Sequence, residues 1–316
     1  MIRACVPFPL LLPCPSPKST SPPFPATGIP TAAVADRAPS LLPPGKSWRL
    51  AWHDEFDGPE IDKTKWMCRE SFWGQDFPAF AHNFEGVEMT GRGTVRLHLL
   101  RKGDDFSSPH LQTGSLTYDI PREPDARGFW PFGPKKKPLF MHKFGYYEIR
   151  CRLPKCAGWH AAFWLQAPGI GSSPDPAACG VETDIMESYR QHSEGKIVCG
   201  NGWNGYGKEG RWFGHFSFDA ETMPDGWCHY GVDWSPRGYS FYANGKKVGE
   251  QNAPVSHAEQ FVLVSTEPGG YRRAGNDGGL TAGLRTWGKP DPRLFDAALP
   301  DFFEVDFVRV FDEGEK

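Results

Sequence analysis

The chain has 316 residues and a net charge of −3, so its charge gives no reason to expect a nucleic acid or another polyanion as partner. No run of about 18 apolar residues is present, which excludes a predicted transmembrane helix. The composition is rich in aromatic residues (12 Trp, 23 Phe, 9 Tyr) and in turn formers (36 Gly, 31 Pro), and this favours many short strands.

Residues 1–45 differ in amino-acid composition from the rest of the chain. They are rich in Pro and Ser with almost no charge, so we predict a segment outside the folded domain. Two interpretations stay open. Arg3, the apolar stretch CVPFPLLL and the Ala-Val-Ala at 33–35 are typical of a secretory signal peptide, whereas the prolines favour a disordered leader. We expect a single domain over 46–316 and a secreted or cell-surface protein.

From Trp48 onward, short segments of alternating or apolar character follow one another between Gly, Pro, Asn and Asp residues. The clearest are WRLAWHDEF, GTVRLHLLRKG, KFGYYEIRCRL, WHAAFWLQ, GWCHYGVDWSP, GYSFYANGKKVGE, EQFVLVSTE and FFEVDFVRVFD. Asn244-Gly245 predicts a two-residue hairpin turn. No segment keeps a 3.6-residue period, so we predict an antiparallel β-sandwich or barrel with little helix. Residues 103–142 and 268–300 are predicted to be long loops.

Eight cysteines are present, and none has zinc-finger spacing. The sequence leaves open whether they form two or three disulfides or stay as buried thiols.

The segment GVETDIMESYR holds three carboxylates, Glu182, Asp184 and Glu187, at spacings of two and three residues. A regular strand would turn Glu187 to the opposite face, and a helix would stack none of them well. One β-bulge after Asp184 would turn all three to the same side. The two glutamates would then lie four effective positions apart, about 13 Å between Cα atoms, and their carboxylates could lean to within about 5 Å, the separation that a retaining glycosidase needs. Mutual repulsion should raise at least one pKa and give a proton donor beside an ionised nucleophile.

These acids resemble the bulged E-x-D-x-x-E signature of glycoside hydrolase family 16. Four further segments resemble the family in the right order: WHDEFDGPEIDKTKW, KFGYYEIRCRLP with GWHAAFWLQ, GWCHYGVDWSPRGYSFYANGKKV and FFEVDFVRVF. The resemblance implies a β-jelly roll of two curved antiparallel sheets, with the substrate cleft on the concave face. It implies that Glu182 is the nucleophile, that Glu187 is the general acid/base and that Asp184 lies between them and holds the charge state of the nucleophile.

The resemblance also implies substrate contacts. Trp159 matches the first Trp of the family's W-P-A-F-W motif, although His160 stands where that motif has Pro, and Trp203 matches a cleft Trp. For both tryptophans, a position in the core is the alternative. Asn83 falls where the family often bonds a sugar hydroxyl. The family's aromatic G-W-P before the catalytic strand is missing here, so another loop, such as GFWPFG at 128–133, would have to supply that platform.

The family implies no cofactor for catalysis. It often carries a structural calcium, and Asp306 falls at its side-chain ligand, with backbone carbonyls near Gly93 as further oxygen ligands. An ordinary strand aspartate is the alternative. Arg150 and Glu148, which alternate on a neighbouring strand, are expected either to support the acids or to pair with each other.

The leading hypothesis is a monomeric, endo-acting, retaining β-glycanase that acts on β-1,3- or mixed β-1,3/1,4-glucan. A galactanase of the agarase, porphyranase or carrageenase type is an alternative, and the basic stretches at 133–138 and 270–275 would suit a sulfated polymer. A transglycosylase would share all the catalytic parts. A non-catalytic glucan-binding lectin on the same fold is a further alternative, against which the retention of all three acids argues.

Overall fold

The computed structural model describes residues 28–72, 75–116, 136–170, 175–189, 195–203, 211–272, 280–281, 284–285 and 287–314. It is 50% strand and 4% helix. Its strands, in chain order, are β1 Ile29–Thr31, β2 Ser40–Leu42, β3 Trp48–Asp54, β4 Met67–Cys68, β5 Ser71–Phe72, β6 Gln75–Asp76, β7 Val87–Met89, β8 Val95–His98, β9 Leu100–Lys102, β10 Asp105–Ser107, β11 His110–Gln112, β12 Gly145–Arg152, β13 Trp159–Gln166, β14 Glu182–Tyr189, β15 Lys196–Trp203, β16 Arg211–Asp219, β17 Cys228–Ser235, β18 Gly238–Ala243, β19 Lys246–Gln251, β20 Phe261–Pro268, β21 Leu280–Thr281, β22 Leu284–Arg285 and β23 Phe302–Glu313. The α-helix α1 (Pro176–Cys179) and a 3₁₀ turn (Pro292–Asp296) are short.

Two large antiparallel sheets form a jelly-roll sandwich. The first has the order β16-β15-β14-β13-β20-β11-β4, and the second has the order β19-β18-β17-β12-β23-β8-β7, with β3 also paired to β23. A continuous apolar core fills the space between them, with buried side chains from β13, β14 and β20 of the first sheet and from β12, β17 and β23 of the second. The predicted all-β jelly roll is confirmed.

The predicted hairpin at Asn244-Gly245 is confirmed. Both residues have positive φ, +48° and +76°, and they join β18 to β19 with Ala243 opposite Lys246. A type I′ turn needs this conformation at both central positions, which is why Asn-Gly is favoured there.

The prediction of a long loop over 103–142 is wrong in its first part. Residues 105–107 and 110–112 form β10 and β11, and β11 is an interior strand of the first sheet, between β20 and β4. The stretch SSPHLQTG is too short and too polar for its strand to stand out by alternation. GFWPFG at 128–133 lies outside the described residues, as do parts of both basic stretches.

The predicted domain boundary at residue 46 lies too late in the chain. Residues 28–45, here called the strap, form the β1–β2 hairpin, and Leu41 and Leu42 are buried. The backbone N–H of Gly28 donates to Gly245 O at 2.8 Å, and that of Leu41 donates to Glu148 Oε1 at 2.7 Å. The strap is therefore part of the sandwich. Residues 1–27, for which a signal peptide or a leader is predicted, lie outside the described residues.

Six of the eight cysteines are described, and all six are free thiols: Cys68, Cys151, Cys156, Cys179, Cys199 and Cys228. For these six, the structure favours the alternative of unpaired thiols. Across the described part of the chain, neither helical segment has the length and apolar character that crossing a bilayer requires.

Candidate active site

The strand β14 carries the predicted bulge. On β13, Phe163 lies opposite Met186 and the next residue, Trp164, lies opposite Asp184, so Ile185 is the extra residue. The pairing with β15 shifts at the same place, between Asp184 and Glu187. The consequence is visible in the core, where the adjacent residues Ile185 and Met186 are both buried. A regular strand would have pointed one of them outward.

The bulge brings the three acids to one face. Glu187 lies opposite Ala162 and Asp184 opposite Trp164, and Gln166 reaches Glu182. The acids therefore extend over four residue steps of β13, from Ala162 to Gln166, or about 13 Å at the usual rise per residue. Their face of the first sheet, opposite the core, is here called the acid face.

Small residues flank the acids on this face. Ala162 is the neighbour of Glu187 on β13, and on β15 Gly200 and Gly202 are the partners of Asp184 and Glu182. Each acid therefore has one cross-strand neighbour with little or no side chain.

The two glutamates have different neighbours. The amide Nε2 of Gln166 donates to Glu182 Oε2 at 2.8 Å. On the other side, His160 Nε2 lies 3.3 Å from Glu187 Oε1, and both of these side chains are about nine-tenths buried. Gln166 and His160 were not predicted as site residues. The alternation of β13 would have found them, because positions 160, 162, 164 and 166 share one face.

Asp184 is the most buried of the three acids, at 3% exposed. Burial raises its pKa well above the ordinary value of 3.8, and the charges of Glu187 and Glu182 raise it further, against a smaller opposing effect of Arg272. Among the described residues, no group bonds its Oδ2. The pKa of Asp184 is therefore well above that of an ordinary aspartate, which agrees with the prediction that one acid of the cluster has a raised pKa.

The predicted sugar contact at Trp159 is wrong. Its side chain is fully buried with Leu99, Phe106 and Leu294, and its indole N–H donates to Asp301 at 3.1 Å. Trp159 faces away from the acids because it is an odd-numbered residue of β13, one position out of phase with the acid face.

The tryptophan that β13 presents on the acid face is Trp164. It lies opposite Asp184, and its indole N–H donates to Ser265 Oγ at 2.9 Å. The buried His110 of β11 packs edge-on against its ring, with centroids 5.9 Å apart. Burial lowers the pKa of His110 well below its ordinary value, with Arg69, Arg272 and His160 contributing in the same direction, so this imidazole is neutral.

The remaining predicted substrate contacts stay predictions. Trp203 is the last residue of β15, next along the chain to Gly202, and its side chain lies outside the described residues. Asn83 is exposed, in a turn with φ +54°, and its backbone N–H donates to Glu70 at 2.8 Å.

Arg150 and Glu148 neither support the acids nor pair with each other. Both lie on β12 in the second sheet. Arg150 pairs with Asp306 and Asp225, and Glu148 contacts His229 at 3.2 Å. The expectation missed this because the sequence does not show which sheet a strand joins.

Asp306 lies in the second sheet, on β23, close to Gly93 O as predicted. The guanidinium of Arg37 lies among these oxygens, with Nη2 at 2.8 Å from Gly93 O and 3.2 Å from Asp306 Oδ1. Among the described residues, no group of three or more His, Cys, Asp or Glu side chains is arranged to hold a metal.

A jelly roll with three carboxylates gathered on the outer face of one sheet has the arrangement expected of a glycoside hydrolase. The model of the Glycosyl hydrolases family 16 matches residues 107–268, just over half of the chain, and the chain belongs to this family.

Three curated proteins are similar to it. Glucan endo-1,3-beta-glucosidase A1 of Niallia circulans is 26% identical over 84% of this chain and 38% of its own length. Beta-porphyranase D of Zobellia galactanivorans is 26% identical over 54% and 37%, and endo-1,3-1,4-beta-glycanase EglC of Rhizobium meliloti is 26% identical over 44% and 28%. The chain thus spans less than half the length of the curated relatives it matches.

The fold is also shared with solved structures. The catalytic domain of a laminarinase from Thermotoga petrophila superposes with a TM-score of 0.60 at 18% identity, over 85% of this chain and 100% of that one.

Proposed function

We propose that the chain is an endo-acting, retaining β-glycanase that hydrolyses β-1,3- or mixed β-1,3/1,4-glucan. The observation that carries the proposal is the bulge of β14, which gathers Glu182, Asp184 and Glu187 on the acid face. The similarity to a glucan endo-1,3-beta-glucosidase of Niallia circulans and an endo-1,3-1,4-beta-glycanase of Rhizobium meliloti supports the choice of substrate.

In the first step, the carboxylate of Glu182 attacks the anomeric carbon. The bond from that carbon to the glycosidic oxygen breaks, and the oxygen leaves with the electron pair and takes a proton from Glu187. Gln166 supports this role, because its amide holds one oxygen of Glu182 and so fixes the direction of the carboxylate.

In the second step, Glu187 is ionised and takes a proton from water. The water oxygen attacks the anomeric carbon from the side that the leaving group vacated, and Glu182 departs as a carboxylate. Two inversions give net retention. Glu187 must therefore exchange a proton in each step, and the nearby His160 is placed to orient its carboxylate.

Asp184, whose pKa is raised by burial and by its two neighbours, lies between the two glutamates. In the proposed mechanism the raised pKa of Asp184 favours its protonated form, which adds no charge beside Glu182. A third full charge beside the nucleophile would instead repel it, which is why the raised pKa of Asp184 suits the site.

The test is hydrolysis of laminarin, lichenan, agarose, porphyran and carrageenan, with the anomeric configuration of the first products followed by NMR. We expect laminarin or lichenan to be cut with retention. The variant Glu182→Gln should lose at least about 10³-fold in kcat, as nucleophile substitutions do. Glu88→Gln is the matched control, because this exposed glutamate lies on β7 of the other sheet. Products of inverted configuration, or a Glu182→Gln variant with ordinary activity, would rule the mechanism out.

A galactanase is the second candidate, favoured by the similarity to beta-porphyranase D. Cleavage of porphyran or agarose but not of laminarin would establish it in place of the glucanase. Binding of a glucan without cleavage would instead indicate a lectin. We also propose an extracellular location, since a polysaccharide of this kind reaches an enzyme outside the cell.

A further inference from the structure

Four oxygen atoms of the second sheet and its edges converge on one point. They are the backbone carbonyls of Glu55, Gly93 and Asp306 and the side-chain Oδ1 of Asp306. Carbonyl and carboxylate oxygens gathered in this way are the ligands that a hard cation such as calcium prefers. This group of oxygens is here called the oxygen cage.

The point on which they converge is the nitrogen Nη2 of Arg37. Its distances are 2.8 Å to Glu55 O, 2.8 Å to Gly93 O, 3.2 Å to Asp306 Oδ1 and 3.4 Å to Asp306 O. An Nη2 atom carries two hydrogens, so it cannot make four ordinary hydrogen bonds. Nη2 is therefore surrounded by more acceptor oxygens than it has hydrogens to donate. The attraction between the positive guanidinium and these negative or dipolar oxygens contributes to holding it in place.

The rest of the guanidinium is also held. Nε donates to Glu55 Oε2 at 3.2 Å, and Nη1 donates to Asp57 Oδ1 at 2.9 Å. The Arg37 side chain is 16% exposed. It is therefore a nearly buried cation with a contact on each of its three nitrogens, which differs from a surface arginine that pairs with one acid.

The carboxylates of Glu55 and Asp306 also pair with other arginines. Arg309, itself fully buried, binds Glu55 through two nitrogens at 2.8 and 2.7 Å, and Arg150 pairs with Asp306. Burial raises the pKa of Glu55, but Arg309, together with His53 and Arg37, outweighs this and lowers it below its ordinary value. Glu55 is thus kept ionised, and the site has the positive charge it needs without a metal ion.

Gly93 leaves room for the guanidinium of Arg37. Its φ is +73°, and a Cβ atom at this position would lie 2.0 Å from Arg37 Nη1. The close approach of the guanidinium to the Gly93 carbonyl therefore requires a residue without a side chain.

We propose that Arg37 is a built-in cation that takes the place of the structural calcium in this protein. The guanidinium closes the oxygen cage and at the same time fastens the strap to β3 and β23. Calcium then has no vacant site to enter, and the stability of the fold is independent of it.

The test compares the melting temperature of the wild type and of Arg37→Met in a chelator and in millimolar calcium. The wild type should melt at the same temperature in both. Arg37→Met keeps the aliphatic length but removes the charge, so it should melt lower in the chelator and regain about 5 °C in calcium, as a ligand that binds only the folded state does. Calorimetric titration should detect calcium binding to Arg37→Met and not to the wild type.

Two controls make the result specific. Arg49→Met removes another arginine of the same sheet, an exposed one that pairs with Asp312, and should gain no response to calcium. Arg37→Lys keeps a cation near the cage and should also gain none. Recovery of folded Arg37→Met only when calcium is present would support the proposal. Stabilisation of the wild type by calcium would overturn it, as would a folded Arg37→Met that is indifferent to calcium.

Discussion

Glu182 and Glu187 have the same side chain, so the different tasks that the proposed mechanism gives them must come from their surroundings. Gln166 donates a hydrogen bond to Glu182, which favours a fixed carboxylate, whereas Glu187 lies 3.3 Å from the imidazole of His160. Replacing Glu187 by Gln removes proton donation to the leaving oxygen. Activity on glucan should fall by about 10²–10⁴-fold, and activity on an aryl glycoside with a good leaving group should fall far less. The ratio of kcat/KM on the two substrates is the measurement, and equal losses would remove Glu187 from the role of acid.

His160 should show the same pattern in a weaker form. His160→Ala takes away the contact that orients Glu187, so we expect a loss of about tenfold on glucan with little change on the aryl glycoside. A substitution that merely loosened the fold would lower both rates together. His142→Ala is a suitable control, because this histidine pairs with Asp312 away from the acids.

The raised pKa of Asp184 predicts how the stability of the folded protein depends on pH. Its pKa is raised in the folded state, chiefly by burial and then by Glu187 and Glu182. The folded protein therefore holds a proton that the unfolded chain releases, so this contribution to stability is complete below the ordinary pKa of 3.8 and is lost as pH rises towards the folded value. Asp184→Asn has no such dependence.

The melting temperature of Asp184→Asn should accordingly match that of the wild type near pH 4 and exceed it by a few degrees at pH 7. Its kcat should nevertheless fall, because an amide cannot share a proton with Glu182. A variant less stable than the wild type at pH 7 would contradict the raised pKa.

At the scale of the strand, a deletion in β14 tests the role of the bulge. Deleting Ile185 leaves Glu, Asp and Glu at regular two-residue spacing, so all three acids should keep the same face. The variant should fold with a stability loss of about 2–5 kcal/mol from the missing core side chain and retain measurable hydrolysis. Deleting both Ile185 and Met186 would turn the second glutamate into the core and should leave no activity. Circular dichroism and product formation from laminarin separate the two cases.

The strands also show where prediction from sequence succeeds and where it fails. The bulge and the shared face of the three acids were predicted correctly, because a spacing of two and three residues leaves few geometries that bring three carboxylates together. Trp159 was assigned to the cleft by motif position, and a one-residue phase in β13 puts it in the core instead. The strand β11 was missed because three residues are too few to show a period, although pairing with β20 and β4 stabilises it.

At the scale of the whole molecule, the acids and the arginine network lie on different sheets. The first sheet carries the acids on its outer face, while the second carries the arginine network of Arg37, Arg150 and Arg309 and the strap. No sequence pattern predicts this network, because its partners are up to 271 residues apart along the chain. For the same reason a Pro-rich composition suggested that residues 28–45 lie outside the domain, when a few long-range contacts hold them on it.

The strap gives the last prediction. A chain that begins at residue 28 keeps every contact of the strap, so its melting temperature should stay within about 2 °C of that of the full chain.

A chain that begins at residue 46 loses Arg37 and the buried side chains of Leu41 and Leu42, which are 6% and 5% exposed in the sandwich. The two leucines alone contribute about 3–6 kcal/mol. Arg309 also loses Ala38 O and Ser40 Oγ, each at 2.9 Å, and would retain Glu55 as a partner in a now uncovered site. The shorter chain should therefore melt at least about 10 °C lower. Equal melting temperatures for the chains that begin at residues 28 and 46 would show that the strap contributes nothing to the fold and that the boundary first predicted from composition was right.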